Sequence, residues 1–98
     1  MWTFDASFFR IDVAKGKAWG CVAMGESSRG LGDKAKSNPA FVNALTVTSK
    51  GRILPNPGAV LIKENNNVVG SVGISGDKGE NDEKICIEAV KKNGLDTD

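Results

Sequence analysis

The chain contains no histidine, and that absence decides much of the chemistry open to it. Ser-His-Asp and Cys-His catalysis, imidazole metal ligation and an imidazole ligand to iron are all removed. Apart from Met1, the soft side chains are Cys21, Met24 and Cys86. They are the candidates for approaching iron, with core packing as the alternative for each. Cys21 and Cys86 match neither a zinc spacing nor a CxxC redox pair, so two reduced thiols in a cytoplasmic protein are expected.

Lys15, Lys17 and Arg29 gather on or near the first expected helix. Two readings stand for them: a solvated helical face, or contact with an acidic ligand such as a propionate or another small carboxylate. The stretch from Ser75 to Glu83 leads from an expected strand into an expected helix, the shape of a phosphate cradle. It holds neither GxGxxG nor GxxxxGK[ST], however, and Asp77, Glu80, Asp82 and Glu83 would repel a phosphate. Those acids are read as compensating the positive end of the helix. A divalent cation is the lesser alternative, and the spacing does not fit an EF-hand. Acid–base work would rest on Asp12, Asp82, Glu83 or a shifted lysine, but no carboxylate pair is firmly placed. No catalytic residue is assigned. Trp19 is read as a core or interface residue rather than a stacking platform.

The elements that must position these side chains follow from the hydrophobic period. At 98 residues, 40% hydrophobic and 26% charged, the chain has the composition of one small globular α/β domain. Its net charge of +1 removes the default case for nucleic-acid binding. No apolar run approaches the ~20 residues of a membrane span, and no secretory leader is seen. Met1 to Arg10 reads as a strand and turn, dense in aromatics. Ile11 to Met24 reads as a helix, with Lys15 and Lys17 off its apolar stripe. Gly16 and Gly20 there permit close packing against another backbone. A polar segment from Ser27 to Lys36 carries one or two helical turns. Asn38-Pro39 starts a helix whose apolar face is Phe41, Leu45 and Thr48, ending at Gly51. Arg52–Pro55 and Gly58–Lys63 read as extended, and Glu64–Asn67 as a hairpin loop leading to a partner strand over Val68–Gly76. A final helix opens at Asn81 or Asp82, with Ile85, Cys86, Ala89 and Val90 on one side. The expected architecture is an antiparallel sheet of three or four strands, with helices packed on one side.

Several stretches stand out, in order: Ile11-Asp12-Val13-Ala14-Lys15-Gly16-Lys17-Ala18-Trp19, Ser27-Ser28-Arg29, Asn38-Pro39-Ala40-Phe41, Gly51-Arg52-Ile53-Leu54-Pro55, Pro57-Gly58-Ala59-Val60-Leu61-Ile62, Val69 to Asp77, and Asn81-Asp82-Glu83. Together they resemble the GlcG/HbpS-like family, which includes the PduO C-terminal domain. The resemblance implies a profilin-like or PAS-like α/β fold, an antiparallel sheet flanked by helices, built into oligomers. Members are described as haem-binding, some with iron-linked or redox-sensing roles. The family's leading helix and two strands have no counterpart in this chain, which reads as N-terminally short, and a histidine ligand from that region does not transfer.

The expected function is therefore a non-catalytic binding protein. Haem is the possible cofactor, or a similar small anionic ligand, with Lys15, Lys17 or Arg29 on its carboxylates and Met24 or Cys21 near iron. The alternatives are a cofactor-free assembly protein beside a catabolic enzyme and, with least support, an enzyme acting on a small organic acid. Residues 1–63 carry nine basic and four acidic side chains, net +5, and residues 64–98 carry four and eight, net −4. With the aromatics Trp2, Phe4, Phe8, Phe9 and Trp19, this split predicts an even-numbered homo-oligomer, its interface on the N-terminal aromatic segment.

Overall fold

The computed structural model describes residues 9–76 and 78–98. The expected opening strand and the aromatics Trp2, Phe4 and Phe8 lie outside the described residues, as does Asp77. In chain order the elements are α1 (Phe9–Met24), α2 (Ser28–Ser37), α3 (Pro39–Thr48), β1 (Ala59–Glu64), β2 (Asn67–Gly73) and α4 (Gly79–Lys92). The fold is mixed α+β, built around one antiparallel pair of strands.

β1 is a continuous apolar run, Ala59-Val60-Leu61-Ile62, because both of its faces are covered. Side chains alternate across a strand. Ala59 and Leu61 accordingly pack on Cys21 of α1, while Val60 and Ile62 pack with Val72, Ile74, Cys86 and Val90 on the α4 side. This corrects the one-sided arrangement expected from the sequence: the hairpin lies between α1 and α4. The turn is Asn65-Asn66, both at positive φ (51° and 67°), which suits the right-handed twist of a tight hairpin.

Three further expectations change. Arg52–Pro55 is not a strand; it is a coil tied to α1 by the Leu54 amide, which donates to the Gly16 carbonyl at 3.3 Å. The segment after Ser27 forms a full ten-residue helix rather than a turn or two. In α3 the buried side is Val42, with Ser49 just beyond the helix, while Phe41 is 52% exposed. The expected stripe was one residue out of phase.

The outer edge of β1 is closed by groups that no periodicity announces. Ser28 Oγ donates to the Ala59 carbonyl and accepts from the Ala59 amide. Asp96 pairs with Lys63 through both backbone groups, and the Asp98 carboxylate accepts from the amides of Ser27 and Leu61. No described helix is long and apolar enough to cross a membrane.

Candidate functional site

Asp12, Lys15, Gly16 and Trp19 recur at three- and four-residue spacing, so they share one face of α1. That face meets the segment running from Gly51 to Leu54. A Cβ on Gly16 would stand 3.1 Å from the Cβ of Leu54, so glycine is what lets the segment approach this closely. Lys50 and Gly51, at φ 59° and 78°, turn the chain back from α3 and deliver Arg52 over Trp19. The guanidinium carbon of Arg52 lies 4.3 Å from the indole centroid, inside cation–π range. Its Nε donates to the Ser49 carbonyl at 2.8 Å, which fixes the head group.

The result is a trough of about 350 Å³ lined by Asp12, Lys15, Gly16, Trp19, Gly51 and Arg52. It continues over Asp12, Gly16 and Gly51 into a hollow of about 110 Å³ whose further walls are Phe9, Val13 and Leu54. One end is therefore cationic and aromatic, the other apolar. Two cations face one carboxylate. Among the described residues, neither Lys15 nor Arg52 forms an ion pair. A cavity of this size falls at the small end of ligand pockets, which run from ~300 to ~1,000 Å³. A second hollow, about 250 Å³ between α2 and the Pro55–Pro57 loop, mixes Arg29 and Lys36 with Asp33 and Glu80. Its charges offset one another.

The five side chains singled out from the sequence do not converge. Lys15 lines the trough. Lys17, read as either solvated or in contact with an acidic ligand, is 5% exposed; its Nζ donates to the Ile74 carbonyl and lies 3.8 Å from Asp82. Arg29 grips Glu83, with Nε 2.9 Å from both carboxylate oxygens and Nη2 2.7 Å from one. That contact raises the guanidinium pKa above its ordinary value. Asp82 and Glu83, read as helix-dipole acids, are thus also the buried partners of cations from α1 and α2. Cys21 is fully buried, and burial, reinforced by the Asp98 charge, pushes its thiol up to about 12. Burial raises Cys86 as well. Met24 is half-buried in the last turn of α1 and lines neither the trough nor the second hollow. Among the described residues no group of three or more metal-ligating side chains gathers.

Arg52 and Phe9 were missed as site residues; Trp19, read as a core or interface residue, is 38% exposed with Arg52 lying over its ring. The signal for Arg52 was thin: a single cation just past a helix stop, far along the chain from the tryptophan it meets.

A family model described as "Haem degrading protein HbpS-like" matches residues 3–91. The chain belongs to this HbpS-like family. Among solved structures, the PduOC–haem complex is 26% identical with a TM-score of 0.84, over 99% of this chain and 70% of that one. The Klebsiella pneumoniae protein ORFY, of family DUF336, is 22% identical with a TM-score of 0.79, over 93% of this chain and 62% of that one. The mixed α+β fold of the HbpS-like chain is the fold of these neighbours. No curated protein matches the sequence.

Proposed function

We propose that the chain is a non-catalytic binding protein for haem or a comparable flat ligand bearing carboxylates, seated in the trough between α1 and Gly51–Leu54. The observation that carries this reading is the trough itself. It sets the Trp19 indole, with Arg52 over its ring, beside Lys15, and neither cation is ion-paired among the described residues. A conjugated ring finds apolar surface on Phe9, Val13 and Leu54, and its carboxylates find charge at the other end. The family description and the haem held by the PduOC neighbour support the same ligand class. The fit holds for the organic part of haem and fails for its iron. Among the described residues Asp12 is the one anionic donor lining the trough, a hard ligand of the kind that suits Mg²⁺ or Ca²⁺, while both described thiols are sealed in the core.

Titration of the protein with hemin, followed by tryptophan quenching, tests the reading. Exposed ion pairs contribute about 0.2–1 kcal/mol each, so Lys15→Ala with Arg52→Ala should weaken binding by roughly tenfold. Hemin absorption no different from that with an unrelated protein would remove the proposal.

A second reading, an even-numbered homo-oligomer with an accessory or assembly role, is favoured by apolar side chains left in solvent. Phe9 is 70% exposed, Val47 78% and Val69 60%, apolar surface that a second copy would cover. The two readings are compatible. Sedimentation across a dilution series checks the second, and a folded monomer at micromolar concentration would overturn it. Two buried, unbridged thiols support a reducing, cytoplasmic setting.

A further inference from the structure

We infer that the trough takes a dicarboxylate porphyrin whatever its centre holds, iron or two protons, because the described residues present the centre with no histidine, tyrosine, thiolate or thioether. The inference rests on the proposed function and narrows it: recognition lies at the ring's face and its carboxylate edge, not at its metal.

Porphyrin iron is held in proteins by histidine, cysteine thiolate, methionine or tyrosine. This chain has no histidine and no tyrosine. Cys21 and Cys86 are both 0% exposed, Cys21 against Ala59 and Leu61, Cys86 against Val60 and Val90. Cys86 Sγ also donates to the Gly58 carbonyl, so it sits there as a thiol. Met24 belongs to the last turn of α1 and lines neither part of the trough. Apart from the Asp12 carboxylate, a hard donor outside that set, the trough presents the Trp19 indole with the Arg52 guanidinium over it, the Lys15 ammonium and an apolar end. Every one of these groups reads a feature common to hemin and to metal-free protoporphyrin. None reads iron. A site of this composition discriminates by the carboxylates, since esterifying them removes the charge that Lys15 and Arg52 meet.

The experiment compares three ligands on the wild-type protein: hemin, free-base protoporphyrin IX and protoporphyrin dimethyl ester. Each titration is read by tryptophan quenching, and the hemin complex also by its absorption bands. The expected result is hemin and the free base binding within about threefold of each other, the ester at least tenfold weaker, and no low-spin bands from bound hemin. Hemin binding more than tenfold tighter than the free base, or low-spin bands without added ligand, would overturn the inference while leaving the proposed function standing. Equal binding of ester and free acid would overturn the assignment of the carboxylates to Lys15 and Arg52. Failure of all three porphyrins to saturate would instead remove the proposed function.

Discussion

Lys17 of α1 and Asp82 of α4 face one another across the end of the hairpin, Nζ to Oδ2 3.8 Å, with side chains only 6% and 1% exposed. The same ammonium donates to the Ile74 carbonyl at 3.0 Å, and Asp82 accepts from the Gly76 amide at 3.2 Å. Two helices on opposite sides of the sheet are thereby joined around the strand end that lies between them. The geometry favours one registry of α1 against α4, because any slip would part the buried ammonium from both Ile74 and Asp82.

Removing one partner should therefore be costly. Lys17→Met is expected to lose about 1–3 kcal/mol, because it takes the ammonium from both the Ile74 carbonyl and Asp82. This is a large share of the ~5–15 kcal/mol that holds a small domain folded. The double variant Lys17→Met with Asp82→Leu should recover about 1–3 kcal/mol of the summed losses. Urea denaturation of the four proteins measures this. Strictly additive losses would show that the two groups are not coupled.

Ser28 carries a comparable load in one hydroxyl. It is fully buried and serves both backbone groups of Ala59, at 2.9 Å from the amide and 3.2 Å from the carbonyl. Ser28→Ala leaves that amide without its partner inside the protein, at a cost of about 1–3 kcal/mol. Hydrogen exchange should show the Ala59 amide losing protection more than its neighbours. Unchanged protection there would mean that another group satisfies it.

The outlines of this fold were legible where local chemistry dictates structure. Asn65-Asn66 between two β-branched runs marked the hairpin, and Asn38-Pro39 marked the start of α3, where the Asn38 side chain accepts from the Phe41 amide. The phase of α3 was not legible. Its sequence is apolar nearly all round, so hydrophobicity alone does not choose between the Phe41 and Val42 faces. The fate of the cations was hidden for another reason. Lys15 and Lys17 stand two residues apart and look alike in sequence. One lines a trough while the other is buried against Asp82, a partner at the far end of the chain. The same distance conceals Arg52 from Trp19. Helical spacing identifies which residues share a face, but not which distant segment comes to lie on it.

Burial of the thiols gives the stability a pH dependence. A group whose folded pKa is raised holds its full contribution below the unfolded value and loses it as pH climbs toward the folded one. For Cys21 that window opens near the ordinary thiol value of 9.0 and extends to about 12, and Cys86 shifts in the same direction. Stability should thus fall between those limits, and Cys21→Ala should flatten part of the fall. Thiol-reactive dye at pH 8 should label neither cysteine in the folded protein and both after unfolding. Rapid labelling of native Cys21 would contradict its placement in the core.

The most direct test of the account is to map where a porphyrin touches the chain. Amide chemical shifts recorded during titration with protoporphyrin IX should move from Asp12 to Trp19 and from Gly51 to Leu54, together with the indole N–H of Trp19. Those of Gly32, Lys36 and Asn56, around the second hollow, should stay in place. Shifts centred on α2 and the Pro55–Pro57 loop, or no localised shifts at saturating ligand, would contradict the placement of the binding site on α1.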